Sequence, residues 1–226
     1  MSHRLWMPPA LAVQGGTTFP ARHVWCVGRN YAEHAREMGA DPTAAEPIFF
    51  SKPAAALIQA EQVAYPSDTA ELHHEVELVV ALGQGGRHLD AESALDCVAF
   101  YAVGVDLTRR DVQSRAKVAG HPWEMSKAFD QSAPLGLLVP AADWSPAPER
   151  EIGLRVGDER RQRACLSDMI WDVGELLALL SARVTLHPGD LVFTGTPAGV
   201  GALRRGDRVV AEVAGLPALG FSIAAD

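Results

Sequence analysis

Carboxylates at the mouths of apolar strands are the groups in this chain best suited to chemistry. The stretch Glu71-Leu72-His73-His74-Glu75-Val76-Glu77-Leu78-Val79-Val80-Ala81-Leu82-Gly83 starts polar, alternates, and ends in a valine- and leucine-rich run. That pattern predicts a β-strand entering a core. Residues two apart on a strand share a face, so His73, Glu75 and Glu77 point one way and Leu72, His74, Val76 and Leu78 the other. Adjacent carboxylates repel, and only water, a basic side chain or a divalent cation offsets that. An E-x-E taken alone also fits a solvent-facing edge. A further carboxylate, Asp106, closes the apolar run Tyr101–Leu107. A His/Glu pair, His34 and Glu37, lies three residues apart in a short helical stretch and so shares one helical face. A short helix entered through Gly28 suits either a lid over a site or an ordinary charged surface.

The elements that would position these groups are short. His23–Gly28 and Ile48–Lys52 read as strands. Arg29–Gly39 reads as a helix of about two turns, with Asn30 as cap and Gly39 as stop. Residues 40–70 are irregular and punctuated by proline. Asp90 opens a helix expected to run to Phe100, with Leu95, Val98 and Ala99 facing inward. Thr108 and Asp111 have the spacing of a capping box opening a helix from Arg109 to about Val118, which places Arg110 and Gln113 on one face. Strands and turns fill 135–170, including the turn Gly157-Asp158. Asp172 and Glu175 form a second capping box before the amphipathic helix Val173–Ala182, whose Leu176, Leu177, Leu179 and Leu180 belong to the core. Leu191–Thr194, Arg208–Val213 and Leu219–Ile223 are strands. The glycine-rich loop Gly195–Gly201 lacks the lysine and spacing of a P-loop. Many short strands with few helices predict an α+β, mostly β fold, with residues 1–22 as a lead-in and 23–226 as a single domain.

The totals narrow the function. A net charge of −8 without a basic run excludes general binding to nucleic acid or an anionic membrane. A small anionic substrate held by a few local cations stays open. The 3 cysteines are widely spaced and form no C-x-x-C pair, which fits reduced thiols in a cytoplasm. Met1–Gln14 lacks the apolar core of a secretion signal, and no run approaches a membrane span.

Taken in order, several segments resemble the fumarylacetoacetate hydrolase family, specifically its small acylpyruvase-like branch. They are Cys26-Val27-Gly28-Arg29-Asn30-Tyr31 through His34 and Glu37, His73–Leu78, Asp106–Gln113, Pro122-Trp123 through Asp130, and Thr194–Gly201. The resemblance implies a mixed β-sandwich roll of the family's C-terminal-domain type, usually a homodimer. It also implies cleavage of a carbon–carbon bond in an acylpyruvate such as acetylpyruvate or fumarylpyruvate. By matching position it implies Glu75, Glu77 and Asp106 as ligands of one Mg²⁺ or Mn²⁺ per chain, a hard oxygen set that suits those ions. It implies His34, oriented by Glu37, as the base that activates water, with Lys127, Arg110, Gln113 and Thr196 holding the keto acid and the developing oxyanion. Alternatives are oxaloacetate decarboxylation or keto–enol tautomerisation on the same metal, and, more remotely, a non-catalytic ligand binder. A zinc site of His73, Glu75 and Glu77 competes for the cluster, although zinc ordinarily takes more His or Cys.

Overall fold

The computed structural model describes residues 7–37, 39 and 46–225. The Val76–Leu82 strand lies inside a six-stranded sheet, and all of its residues are buried. On one side it pairs antiparallel with Val98–Val105, which is edged by Val139–Pro140. On the other it pairs antiparallel with Asp190–Phe193, followed by His23–Gly28 and the edge strand Ile48–Lys52. Burial on both faces explains the continuous apolar run that follows Glu77. Val76, Leu78, Val80 and Leu82 join one apolar cluster, and Val79 and Ala81 the opposite one, as the two-residue period demands.

The first cluster also contains Ile152, Leu154, Val209, Ala211 and Phe221. These come from a second, five-stranded sheet in the order Glu159–Cys165, Glu151–Val156, Arg208–Val213, Leu219–Ile223, Gln62–Val63. Two sheets packed over a shared core, with short helices at the periphery, make the mostly β sandwich that the pattern predicts. The Val173–Ser181 helix carries the expected capping box: Glu175 N–H donates to Asp172 at 2.9 Å, and Asp172 N–H to Glu175 at 2.9 Å. Leu176, Leu177 and Leu180 are buried, whereas Leu179 is half-buried.

Four expectations are corrected, each where a tertiary partner outcompetes a local preference. The stretch 71–83 is two strands, because Leu72–His74 leaves the large sheet to pair with Thr108–Arg109 and Gly201–Leu203. Glu75 sits at the break, its carbonyl accepting from Asp106 N–H at 2.8 Å. The helix opened by Asp90 ends at Leu95 instead of Phe100: Asp90 does cap it, but Val98 and Phe100 pair with Leu82 and Ala81. β-branched and aromatic residues gain more beside a buried strand than in a helix exposing Leu95. Thr108 and Asp111 form no capping box. Thr108 pairs with His73 in the small sheet, and Asp111 accepts from Thr69 Oγ1 at 2.5 Å. Asn30 does not cap the Ala32–Glu37 helix. Its amide donates to the carbonyls of Thr194 (2.8 Å) and Trp171 (3.0 Å) and accepts from Trp171 N–H (2.9 Å).

The amino-terminal stretch is more structured than a loose lead-in, since Ala10–Ala12 and Thr18–Pro20 form a hairpin that buries Leu11 and Phe19. Among the described residues, no helix is long and apolar enough to cross a membrane.

Candidate active site

The break after His74 brings Glu75 alongside Glu77, and the end of the neighbouring Val98–Val105 strand delivers Asp106. One oxygen from each carboxylate lies within 4.8 Å of the others, all three are buried, and this is the only such group among the described residues. Cations surround it. Lys127 Nζ donates to Glu75 at 2.8 Å and to Asp106 at 2.6 Å. Arg110 donates to Glu75 with one guanidinium nitrogen and to Gln113 Oε1 at 2.6 Å with another. The fully buried Lys52 pairs with Asp106 Oδ1 at 2.8 Å and donates to the Leu107 carbonyl at 3.1 Å and to the Lys127 carbonyl.

The formal charges of Lys52, Lys127 and Arg110 therefore balance Glu75, Glu77 and Asp106. They do not balance them evenly. Burial would raise the proton affinity of Glu75, but Lys127 and Arg110 outweigh it and hold the carboxyl well below the usual range. Glu77 contacts none of the three cations. Burial, reinforced by Asp106 and Glu75, pushes its pKa well up against one hydrogen bond from Gly195 N–H at 2.6 Å. Asp106 Oδ1, although beside Lys52, lacks a well-directed hydrogen bond. A carboxylate short of positive charge next to an under-satisfied carboxylate oxygen is a donor set that fits a hard divalent cation.

Above the cluster, a cleft is lined by Val27, Gly28, Arg29, His34, Phe50, Glu75, Arg110, Gln113, Lys117, Trp123, Lys127 and Thr196. His34 comes from the Ala32–Glu37 helix and is buried, with Nδ1 3.2 Å from Glu37 Oε2. Glu37 also accepts from Gly199 N–H at 3.3 Å, which ties the helix to the glycine-rich loop. That loop needs its glycines: Gly199 has φ +93°, and a Cβ there would lie 2.0 Å from the Arg161 carbonyl. Thr196 is held from below by Gln162 Nε2 at 2.8 Å. The same buried Gln162 donates to the Pro197 carbonyl (2.8 Å) and accepts from Val76 N–H (3.1 Å), with His74 Nδ1 at 3.0 Å.

The fumarylacetoacetate (FAA) hydrolase C-terminal family profile matches residues 23–224. The chain belongs to this family. The solved structure of a fumarylpyruvate hydrolase from Pseudomonas aeruginosa in complex with Mn²⁺ and pyruvate is 47% identical, with a TM-score of 0.95 over 98% of this chain and 97% of that one. Oxaloacetate tautomerase YcgM of Escherichia coli (strain K12) is 45% identical over 193 residues, 84% of this chain and 88% of its own length. Oxaloacetate tautomerase FAHD2, mitochondrial, of Oryza sativa subsp. japonica is 39% identical over 201 residues, covering 87% and 88% respectively.

The residues singled out from the family resemblance converge. His34, Glu75, Arg110, Gln113, Lys127 and Thr196 line one cleft, with Glu77 and Asp106 behind Glu75 and with Glu37 against His34. His73 does not join the carboxylates. It accepts from Arg110 Nε at 3.4 Å and lies outside the group formed by Glu75, Glu77 and Asp106, so the competing zinc set is not assembled; burial, with Arg110, lowers its pKa to about 4. Sequence reasoning missed Lys52, Lys117, Phe50, Trp123 and Gln162. A signal existed for Lys52, because a lysine ending the strand Ile48-Phe49-Phe50-Ser51-Lys52 is buried only when paired. None existed for Gln162, which lies among the charges of the Glu159–Cys165 strand.

Proposed function

We propose that this chain is a divalent-metal-dependent hydrolase that splits an acylpyruvate into pyruvate and a carboxylic acid. The observation that carries the reading is the His34–Glu37 pair, its imidazole buried at a cleft floored by carboxylates and lysine and its carboxylate exposed. A Mg²⁺ or Mn²⁺ ion held by Glu75, Glu77 and Asp106 would supply charge stabilisation to the keto-acid end of the substrate. With its Nδ1 proton directed at Glu37, His34 presents Nε2 as the base, and the carboxylate fixes that tautomer. His34 Nε2 takes a proton from water as the water oxygen bonds to the distal carbonyl carbon. The C–C bond then breaks, its electron pair stays on the pyruvate methylene, and the proton held on His34 returns to that carbon. Lys127 and Arg110 offset the charge of the departing pyruvate fragment, while Gln113 and Thr196 orient it. In this reading the enzyme is a cytoplasmic homodimer with one ion per chain.

The tautomerase relatives favour a second reading, keto–enol conversion of oxaloacetate. It uses the same charge stabilisation and moves a proton without activating water for acyl attack, and decarboxylation of oxaloacetate is a further variant. Product analysis with saturating Mg²⁺ separates them. Hydrolysis of acetylpyruvate gives equal amounts of acetate and pyruvate. If the protein leaves acetylpyruvate intact while interconverting keto and enol oxaloacetate, the tautomerase reading replaces the hydrolase one.

A further inference from the structure

The amide of Gln162 touches two parts of the site at once. It projects from the Glu159–Cys165 strand and reaches the break at Glu75 through Val76 N–H. It also reaches the glycine-rich loop through Thr196 and Pro197. That loop lies directly on the strand, since a Cβ on Gly199 would run into the Arg161 carbonyl and sit 3.5 Å from Gln162 Cα. Gln162 is 1% exposed, so its polar atoms have no solvent to turn to.

Two backbone groups fix which way the amide faces. Val76 N–H can only donate, so the atom 3.1 Å from it is Oε1. The Pro197 carbonyl can only accept, so the atom 2.8 Å from it is Nε2. His74 Nδ1, 3.0 Å from Oε1, therefore carries the ring proton and donates it. Nε2 has one hydrogen left, and Thr196 Oγ1 lies 2.8 Å away. Both lone pairs of the oxygen and both hydrogens of the nitrogen are then in use. The amide nitrogen has no lone pair to offer, so the Thr196 hydroxyl cannot donate back to it. Among the described residues nothing else accepts that proton, and Thr196 lines the cleft. Its oxygen is held from behind by a fixed donor, and its hydrogen is left for a ligand.

We infer that Gln162 is a positioning residue: by donating to Thr196 Oγ1 it makes the threonine hydroxyl a dedicated hydrogen-bond donor to a carboxylate or enolate oxygen of the bound keto acid. An unrestrained hydroxyl rotates and accepts as readily as it donates, whereas an anion uses only the donor. Gln162 is not among the residues that line the cleft, so it acts on the ligand through Thr196. This rests on the reading that a keto acid occupies the cleft, and not on what becomes of it there.

The test is a double-mutant cycle read by calorimetric titration of oxalate, which presents carboxylate oxygens and contains no bond to hydrolyse, into the Mg²⁺-loaded protein. Thr196→Val keeps the shape of the side chain without its hydroxyl and should weaken oxalate binding roughly tenfold or more, as expected for a hydrogen bond to a charged group. Gln162→Met should cost about as much in the wild-type background. With valine at 196 it should cost less than about two-fold, because no hydroxyl remains to orient. Thr196→Ser keeps the hydroxyl and should restore the sensitivity to Gln162→Met. If Gln162→Met does not fold, Gln162→Glu takes its place. It keeps an acceptor for Val76 and His74, turns an oxygen toward Thr196, and should show the same dependence on the hydroxyl. A merely structural Gln162 would weaken oxalate by the same factor in all three backgrounds, and that result overturns the inference. So does oxalate binding within about two-fold of wild type by Thr196→Val or by the Gln162 variant alone, and so does no detectable binding by wild type. Pyruvate release from acetylpyruvate judges the hydrolase reading separately, since oxalate is never cleaved.

Discussion

Lys52→Met removes one buried ammonium while keeping the length of the side chain. In the protein, Lys52 is fully buried, pairs with Asp106 at 2.8 Å and donates to the Leu107 carbonyl at 3.1 Å. Breaking a buried pair by deleting one partner costs about 3–5 kcal/mol, because the remaining charge stays desolvated. Two observations place the loss near the lower end of that range. Asp106 keeps Lys127 at 2.6 Å, and the Lys127 carbonyl keeps a donor in Ser132 Oγ at 2.9 Å. About 3 kcal/mol in a domain of this size corresponds to a fall in Tm of roughly 6–12 °C. The measurement is a thermal melt of the chelated protein by circular dichroism. The same change takes one positive charge away from Asp106, so saturating Mg²⁺ should raise the variant's Tm more than it raises that of wild type. A metal-free Tm within about 2 °C of wild type, or an identical Mg²⁺-induced rise in both proteins, refutes the charge balance drawn here.

Other outcomes follow from the same geometry. Glu77 resists ionisation in the metal-free fold, so stability falls as pH rises from the ordinary carboxylate range through its raised pKa; Glu75, shifted down, contributes stability that is lost as pH falls. Divalent-ion binding should therefore release a proton, read by calorimetry in buffers of different ionisation enthalpy, and Glu77→Gln should abolish that release along with high-affinity binding. Gln162→Leu should loosen both the glycine-rich loop and the break at Glu75, lowering turnover at least tenfold with metal affinity less affected, as steady-state kinetics and Mg²⁺ titration would show. Gly199→Ala forces a Cβ against the Arg161 carbonyl and a side chain into a left-handed backbone, so its Tm should drop by several degrees and its activity with it.

Legibility in the sequence followed the range of the interactions. The Asp172–Glu175 capping box and the strands Arg208–Val213 and Leu219–Ile223 were readable because neighbours a few residues away determine them. The Asp90 helix was overextended, and the strand break at Glu75 was missed, because both depend on strands far off in the chain. The carboxylates were visible as types and spacing, and the family resemblance gave them partners. Spacing could not show that Lys52 crosses to Asp106, nor that Gln162 reaches Val76 and Thr196, since those contacts exist only once two sheets have packed.

The central claim is that His34, held by Glu37, activates water for attack on the acylpyruvate. Its most direct test is the initial rate of pyruvate release from acetylpyruvate by His34→Ala and wild type at saturating Mg²⁺, with Mg²⁺ affinity measured on the same preparations. The account predicts a loss on the order of 10²–10⁴-fold with Mg²⁺ binding intact. A variant that hydrolyses acetylpyruvate within a few-fold of wild type would contradict it.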